Sequence, residues 1–144
     1  MAGSNAVGVE IGQLLAGAHK RAARRFAEAL TPLGIDGRLF GVLNTLGRLG
    51  PCTQARLVTE LNGDKSTMMR TVDELEAMGL AVRQAVPGDR RARAVALTDE
   101  GRKRLAVARL NADHVAGELF AAMSETDRTA LRDLLAAFLR DSPG

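Results

Sequence analysis

Apolar residues recur at three- and four-residue spacing along most of this chain, and the pattern changes to alternation at one place, on either side of Pro87-Gly88-Asp89. Helical spacing buries one stripe of a helix, whereas alternation buries one face of a strand. The chain is therefore expected to be a series of amphipathic helices carrying a single hairpin. From Val9 to Leu30 the stripe is Ile11, Leu14, Leu15, Ala18, Ala22, Phe26 and Ala29, and Thr31-Pro32-Leu33-Gly34 ends it, since proline disfavours helix at the residue before it. Met1 to Gly8 is small and polar and is expected to fray. Asp36 caps a second helix bearing Leu39, Phe40, Leu43, Leu46 and Leu49, closed by Gly50-Pro51. Thr53 caps a short third helix through Leu61. Asn62-Gly63-Asp64 forms a turn, and a fourth helix runs from Lys65 to Met78 and stops at Gly79.

Leu80 to Gln84 and Arg93 to Leu97 read as two strands joined by a loop from Ala85 to Ala92. Thr98-Asp99-Glu100 opens a fifth helix, a capping hydroxyl followed by two acids that suit the helix dipole. Its apolar side is Leu105, Ala108, Ala112, Val115, Leu119 and Ala122. Ser124 opens a sixth, with Leu131, Leu134, Leu135 and Phe138, and Ser142-Pro143-Gly144 ends the chain. The fold class is mainly α with a small β-hairpin, in a single domain, since 144 residues lie within one domain's usual range. Aromatic residues are only 3%, so the core is built from Leu, Ala, Val and Met, which favours helices.

Charge distribution says more than the formal net charge of +3. Arg83, Arg90, Arg91, Arg93, Arg102, Lys103 and Arg104 cluster around the hairpin against Asp89, Asp99 and Glu100. A second cluster, Lys20, Arg21, Arg24 and Arg25, lies on the first helix. The single cysteine, Cys52, excludes an intramolecular disulfide and a multi-cysteine metal site. No apolar run approaches the roughly 18–20 residues of a membrane span, and no secretory signal precedes the first helix. The expectation is a soluble, cytoplasmic protein without metal or cofactor.

Thr53 to Gly79 has the layout of a helix-turn-helix, in which the second helix enters the major groove and its N-terminal residues reach base edges. At 100° per residue, Met68, Val72, Leu75 and Gly79 share one arc and suit the core. Lys65, Ser66, Met69, Arg70 and Asp73 lean the other way. Arg70 can donate two hydrogen bonds to guanine, Lys65, Ser66 and Thr67 can serve phosphates or base edges, and Met69 can either touch a thymine methyl or partly bury. Thr53 and Gln54, at the start of the third helix, join this set of DNA-facing residues. At the hairpin, Arg90, Arg91 and Arg93 suit a narrow minor groove, and Asp89 reads as a buttress for Arg91. Arginines and polar arcs of this kind are also common on ordinary solvated surfaces; their joint occurrence favours DNA.

The stretch Leu61 to Arg102, with Asp64-Lys65-Ser66-Thr67-Met68-Met69-Arg70, Leu75-Glu76-Ala77-Met78-Gly79-Leu80, Gly88-Asp89-Arg90-Arg91 and Leu97-Thr98-Asp99-Glu100-Gly101-Arg102, resembles the MarR family of bacterial winged helix-turn-helix regulators. The helix layout is similar from about residue 9 to 140. The resemblance implies a winged helix-turn-helix unit at about 36–98, flanked by dimerisation helices at about 9–31 and 99–140. It implies a homodimeric repressor of a palindromic operator, relieved in many members by a small aromatic or phenolic ligand or by oxidation. By position, it puts recognition contacts on Ser66, Thr67 and Arg70, and the wing arginine on Arg91 with Asp89 as its partner. Two residues depart from the pattern. Met69 stands where a small polar residue is usual, and Gly63 replaces an apolar residue in the turn, which predicts a turn of different shape. The apolar stripes of the first, fifth and sixth helices also favour pairing of two copies, with recognition helices about 34 Å apart.

Other readings stand beside this one. His19, Phe26 and Phe40 are the candidates for a ligand pocket, with a surface or interface role as the plainer alternative. Cys52 is a candidate thiol sensor, although it has no partner cysteine in the chain. His114, with Asp113 and Glu118, reads as a solvated face rather than a metal site. A winged-helix protein-interaction module without DNA affinity is a rival function. An enzyme is disfavoured because no nucleophile–base pair, carboxylate pair or glycine-rich phosphate loop is visible.

Overall fold

A computed structural model describes residues 2–141 as a run of six α-helices with a three-stranded antiparallel sheet, one strand lying between the second and third helices and two between the fourth and fifth. The helices are α1 (Ala2–Leu30), α2 (Gly37–Leu49), α3 (Gln54–Leu61), α4 (Lys65–Ala77), α5 (Asp99–Leu119) and α6 (Glu125–Asp141). The strands are β1 (Cys52–Thr53), β2 (Ala81–Val86) and β3 (Asp89–Leu97), in the order β1-β3-β2. Among the described residues no helix is long and apolar enough to cross a membrane. Met1 and Ser142-Pro143-Gly144 lie outside the described residues.

Side-chain caps fix where the helices begin. Asp36 Oδ1 accepts from the Leu39 amide at 2.9 Å, Thr53 Oγ1 from Arg56 at 3.1 Å, and Ser124 Oγ from Asp127 at 3.1 Å. Each satisfies an amide that the helix itself leaves without a partner. The core lies where α2, α3, α4, the sheet and α5 converge, around Leu43, Leu57, Val72, Leu75 and Leu80, all fully buried. Burying each such side chain stabilises by about 1.5–3 kcal/mol.

The fifth helix is locked to the sheet by Thr98. Its hydroxyl donates to the Gly79 carbonyl at 2.6 Å and accepts from the Gly101 amide at 3.0 Å, while its own amide donates to the Leu80 carbonyl at 3.1 Å. This draws Gly101 so close to Leu80 that a Cβ at residue 101 would overlap the Leu80 backbone carbonyl. Backbone cannot swing aside as a flexible side chain can. Gly101→Ala is therefore expected to destabilise the protein by about 1–3 kcal/mol, seen as a lower melting temperature; an unchanged melting temperature would refute the close approach.

Three expectations need correction. Residues 2–8, expected to fray, are helical and continue α1; once a helix is nucleated, each further residue adds a hydrogen bond at low cost. The loop expected from Ala85 to Ala92 is mostly strand: Pro87-Gly88 alone makes the turn, with Gly88 at φ 83°, and pairing runs from Ala81↔Leu97 to Ala85↔Arg93 and then jumps to Val86↔Asp89. The jump leaves Arg90, Arg91 and Ala92 as a bulge on β3. The fifth helix ends before Ala122. Strand β1 is additional, pairing Cys52 with Val95 and Thr53 with Ala94.

In the turn before α4, the left-handed residue is Asn62, at φ 52°, and not Gly63. A Cβ on Gly63 would meet only the Met68 terminal methyl, at 3.6 Å. Gly63→Ala is thus expected to stabilise by about 0.4–1 kcal/mol, because it restricts the unfolded chain without strain in the folded one. Chemical denaturation reads this directly; a lower midpoint would count against it.

The apolar stripes of α1 and α6 stay largely exposed in the single chain. Leu14 is 64% exposed, Leu134 70% and Phe138 55%, and no residue of α6 is buried among those described. On α5, by contrast, Leu105, Ala108 and Val115 are buried against the rest of the chain.

Candidate nucleic-acid interface

The start of α4 is organised by Asp64. Its Oδ1 accepts from the Thr67 amide at 2.8 Å, and this hydrogen bond, with the Arg70 charge nearby, holds the Asp64 carboxyl below the usual carboxylate range. Sequence reasoning placed Asp64 in the turn and missed its role as the cap, although an aspartate immediately before a helix is the ordinary signal. With the cap fixed, the two arcs of α4 separate. Met68, Thr71, Val72 and Leu75 are buried, Thr67 is half-buried, and Lys65, Ser66, Met69, Arg70 and Asp73 are exposed. Among the described residues, no ion pair or side-chain hydrogen bond engages Lys65 or Arg70. Their cationic ends are free for a ligand.

Strand β2 packs against α4, so the helix leads directly into the wing. In the bulge, Asp89 Oδ1 accepts from the amides of Arg91, at 3.0 Å, and Ala92, at 3.3 Å. Asp89 thus braces Arg91 through its backbone amide. Arg93 Nη1 donates to the carbonyls of Arg90, at 3.2 Å, and Ala92, at 3.1 Å. Its guanidinium closes the other side of the bulge. The side chains of Arg90 and Arg91 are exposed, and no ion pair among the described residues engages them. Thr53 and Gln54 sit at the start of α3, Thr53 exposed with its hydroxyl capping the helix, and Gln54 half-buried beside Arg83 at 3.4 Å.

Two arginines that sequence reasoning did not single out hold α4 in place. Arg38 on α2 donates to Thr71 Oγ1 at 2.8 Å and to Glu74 Oε2 at 2.6 Å. Arg83 on β2 pairs with Asp73 at 2.8 Å and with Glu76. Their partners lie far apart in sequence, so no local pattern marks them.

The candidates for a ligand pocket differ in exposure. His19 is exposed on α1, Phe26 is half-buried, and Phe40 is half-buried against the core. A cavity of about 410 Å³ lies instead between α2, the sheet and α5, lined by Leu46, Pro51, Leu97, Leu105 and the guanidinium-bearing Arg102 and Arg109; none of His19, Phe26 and Phe40 lines it. Cys52 is half-buried in β1, and burial pushes its thiol above the ordinary range. That disfavours the thiolate that peroxide sensing needs. Among the described residues, no group of three or more His, Cys, Asp and Glu side chains could hold a metal.

Residues 33–92 match the model of the MarR family. The HTH-type transcriptional regulator YwoH of Bacillus subtilis is 30% identical over 118 residues, covering 82% of this chain and 85% of that protein. The structure of CouR from Rhodococcus jostii RHA1 bound to p-coumaroyl-CoA superposes with a TM-score of 0.85 at 30% identity, covering 93% of this chain and 94% of that one. CouR bound to a 23-mer DNA duplex gives a TM-score of 0.81 at 30% identity, covering 88% and 90%.

Proposed function

This chain belongs to the MarR family of DNA-binding transcription regulators, and from that premise we propose that it acts as a homodimeric repressor whose α4 reads the major groove of a palindromic operator while Arg90 and Arg91 enter the adjacent minor groove. The observation that carries this reading is the pair of uncommitted basic elements: Lys65 and Arg70 at the capped start of α4, and the braced arginine bulge on the wing that packs beside it. Arg70 is the base-reading residue and suits guanine. Ser66 and Thr67 serve base edges or phosphates, and Thr53 and Gln54 meet the backbone at the start of α3. Asp89 and Arg93 shape the bulge. Two copies pair through the exposed stripes of α1 and α6, which sets the two recognition helices one DNA turn apart. We assign the chain no enzymatic activity.

The effector in this reading is a small aromatic acid or its thioester. CouR, with the same fold, was solved with p-coumaroyl-CoA, and the cavity beside α5 offers apolar walls and the guanidiniums of Arg102, paired with Asp99, and Arg109, bonded to Asn44, whose remaining N–H groups suit a carboxylate or phosphate. It lies against the sheet and α5, where a ligand can shift the winged unit relative to the dimerisation helices.

Selection of bound sequences from randomised DNA tests the function. The expected product is an inverted repeat with half-sites about ten base pairs apart, bound with an affinity that falls steeply with salt. Binding to no sequence in preference to another, with little salt dependence, would favour a protein-interaction module instead.

A further inference from the structure

Recognition helices approach a polyanion, yet α4 carries three carboxylates, Asp73, Glu74 and Glu76. Each is paired with a guanidinium from outside the helix. Glu74 is held by Arg38 of α2, and the other two are held together by Arg83 of β2. Arg83 is the more enclosed of these groups, its side chain 26% exposed, whereas Asp73 is 59% exposed and on the same arc as Lys65, Ser66, Met69 and Arg70. Arg83 also lies 3.4 Å from Gln54 Oε1 at the start of α3. One forked side chain therefore touches both helices of the helix-turn-helix and belongs to the strand that leads into the wing.

We propose that Arg83 is a positioning residue for DNA reading: it acts through Asp73 and Glu76, fixing the wing strand to the recognition helix and neutralising two carboxylates that would otherwise face phosphates, and it does not itself contact DNA. A planar guanidinium spreads five N–H donors over a fixed fork wide enough to bridge two carboxylates and an amide oxygen, whereas an ammonium has three donors on a single atom and reaches the three acceptors less well. The bare carboxylate on Asp73, beside Arg70, would draw that guanidinium away from a base edge and repel the backbone. This proposal rests on the reading of α4 as the recognition helix.

The test is a cycle of variants measured on the duplex recovered by selection with the unaltered protein. Arg83→Gln is expected to weaken binding about tenfold or more in the natural background, and about threefold or less when Asp73→Asn and Glu76→Gln are already present, a coupling of ordinary size for contacting charges. The dimer's melting temperature, followed in parallel, separates this from a folding defect, which would lower melting and binding together in both backgrounds. Arg83→Lys, a milder change that keeps the charge, is expected to give an intermediate loss with the same dependence on background. Equal losses in the two backgrounds, from either variant, would mean that Arg83 meets DNA directly where melting is unchanged, or serves only the fold where melting falls as well, and no loss in the natural background would mean that it does nothing for binding; each of these results overturns the proposal alone. Failure of the unaltered protein to prefer any duplex overturns the DNA-reading function and this proposal with it.

Discussion

Arg70→Ala abolishes tight operator binding and leaves the dimer's melting temperature where it was. The side chain is exposed on α4 and, among the described residues, engages no protein partner, so its removal leaves no buried group unsatisfied and costs the fold little. A bidentate contact to guanine discriminates by about 1–3 kcal/mol. A palindrome uses the contact twice, so the loss is roughly 2–6 kcal/mol, or about 30-fold to more than 10⁴-fold in affinity. Base reading makes the loss specific: a scrambled duplex of the same length binds the variant almost as well as it binds the unaltered protein. A phosphate contact would instead weaken both duplexes alike and lower the salt slope by about one. Retention of operator binding within about threefold would remove Arg70 from the interface. Arg91→Ala acts in the same direction through the minor groove, with its loss concentrated on operators whose flanks are A·T-rich, where the groove is narrow and its potential strongest.

What could be read from the residues alone was whatever local chemistry decides. Asp36, Thr53, Thr98 and Ser124 start helices because a short oxygen-bearing side chain reaches an amide three residues on, a relation contained within four residues. The division of α4 into Met68, Val72 and Leu75 inward and Lys65, Ser66, Met69 and Arg70 outward follows from 3.6-residue periodicity. What escaped depends on distant partners. Strand β1 is two residues long and exists because Val95 and Ala94, more than 40 residues away, complete its ladder. The bulge at Arg90–Ala92 comes from the Pro87-Gly88 turn meeting a register already set by Ala81↔Leu97, which no single strand reveals. Arg83 looked like one basic residue among several, and its partners on α3 and α4 became visible only with the fold. The cavity beside α5 escaped for a related reason: its walls are aliphatic side chains and two arginines brought together from α2, the sheet and α5, and no local pattern joins them.

Leu134→Asp turns the protein into a monomer and, with no change at the DNA-facing surface, lowers operator affinity by about 10²–10⁴-fold. Leu134 is 70% exposed on a helix with no buried residue among those described, next to Phe138 at 55% and Leu131 at 37%. Such a stripe on a solvated monomer is an interaction surface awaiting a partner. The two-fold axis of a homodimer doubles every substitution, so two carboxylates enter an apolar interface without counter-ions, and desolvating them costs more than the contact returns. Separated monomers bind each half-site independently, and the advantage of the second, tethered half-site disappears. Sedimentation at micromolar concentration reads the first consequence and operator titration the second. Charge reversal at Arg140, exposed on another side of the same helix, serves as the control and leaves the dimer intact, because only the stripe is covered by a second copy. A Leu134→Asp protein that stays dimeric and binds fully would show that α6 does not join the subunits, and the spacing of the two recognition helices would then have to be set by α1 and α5 alone.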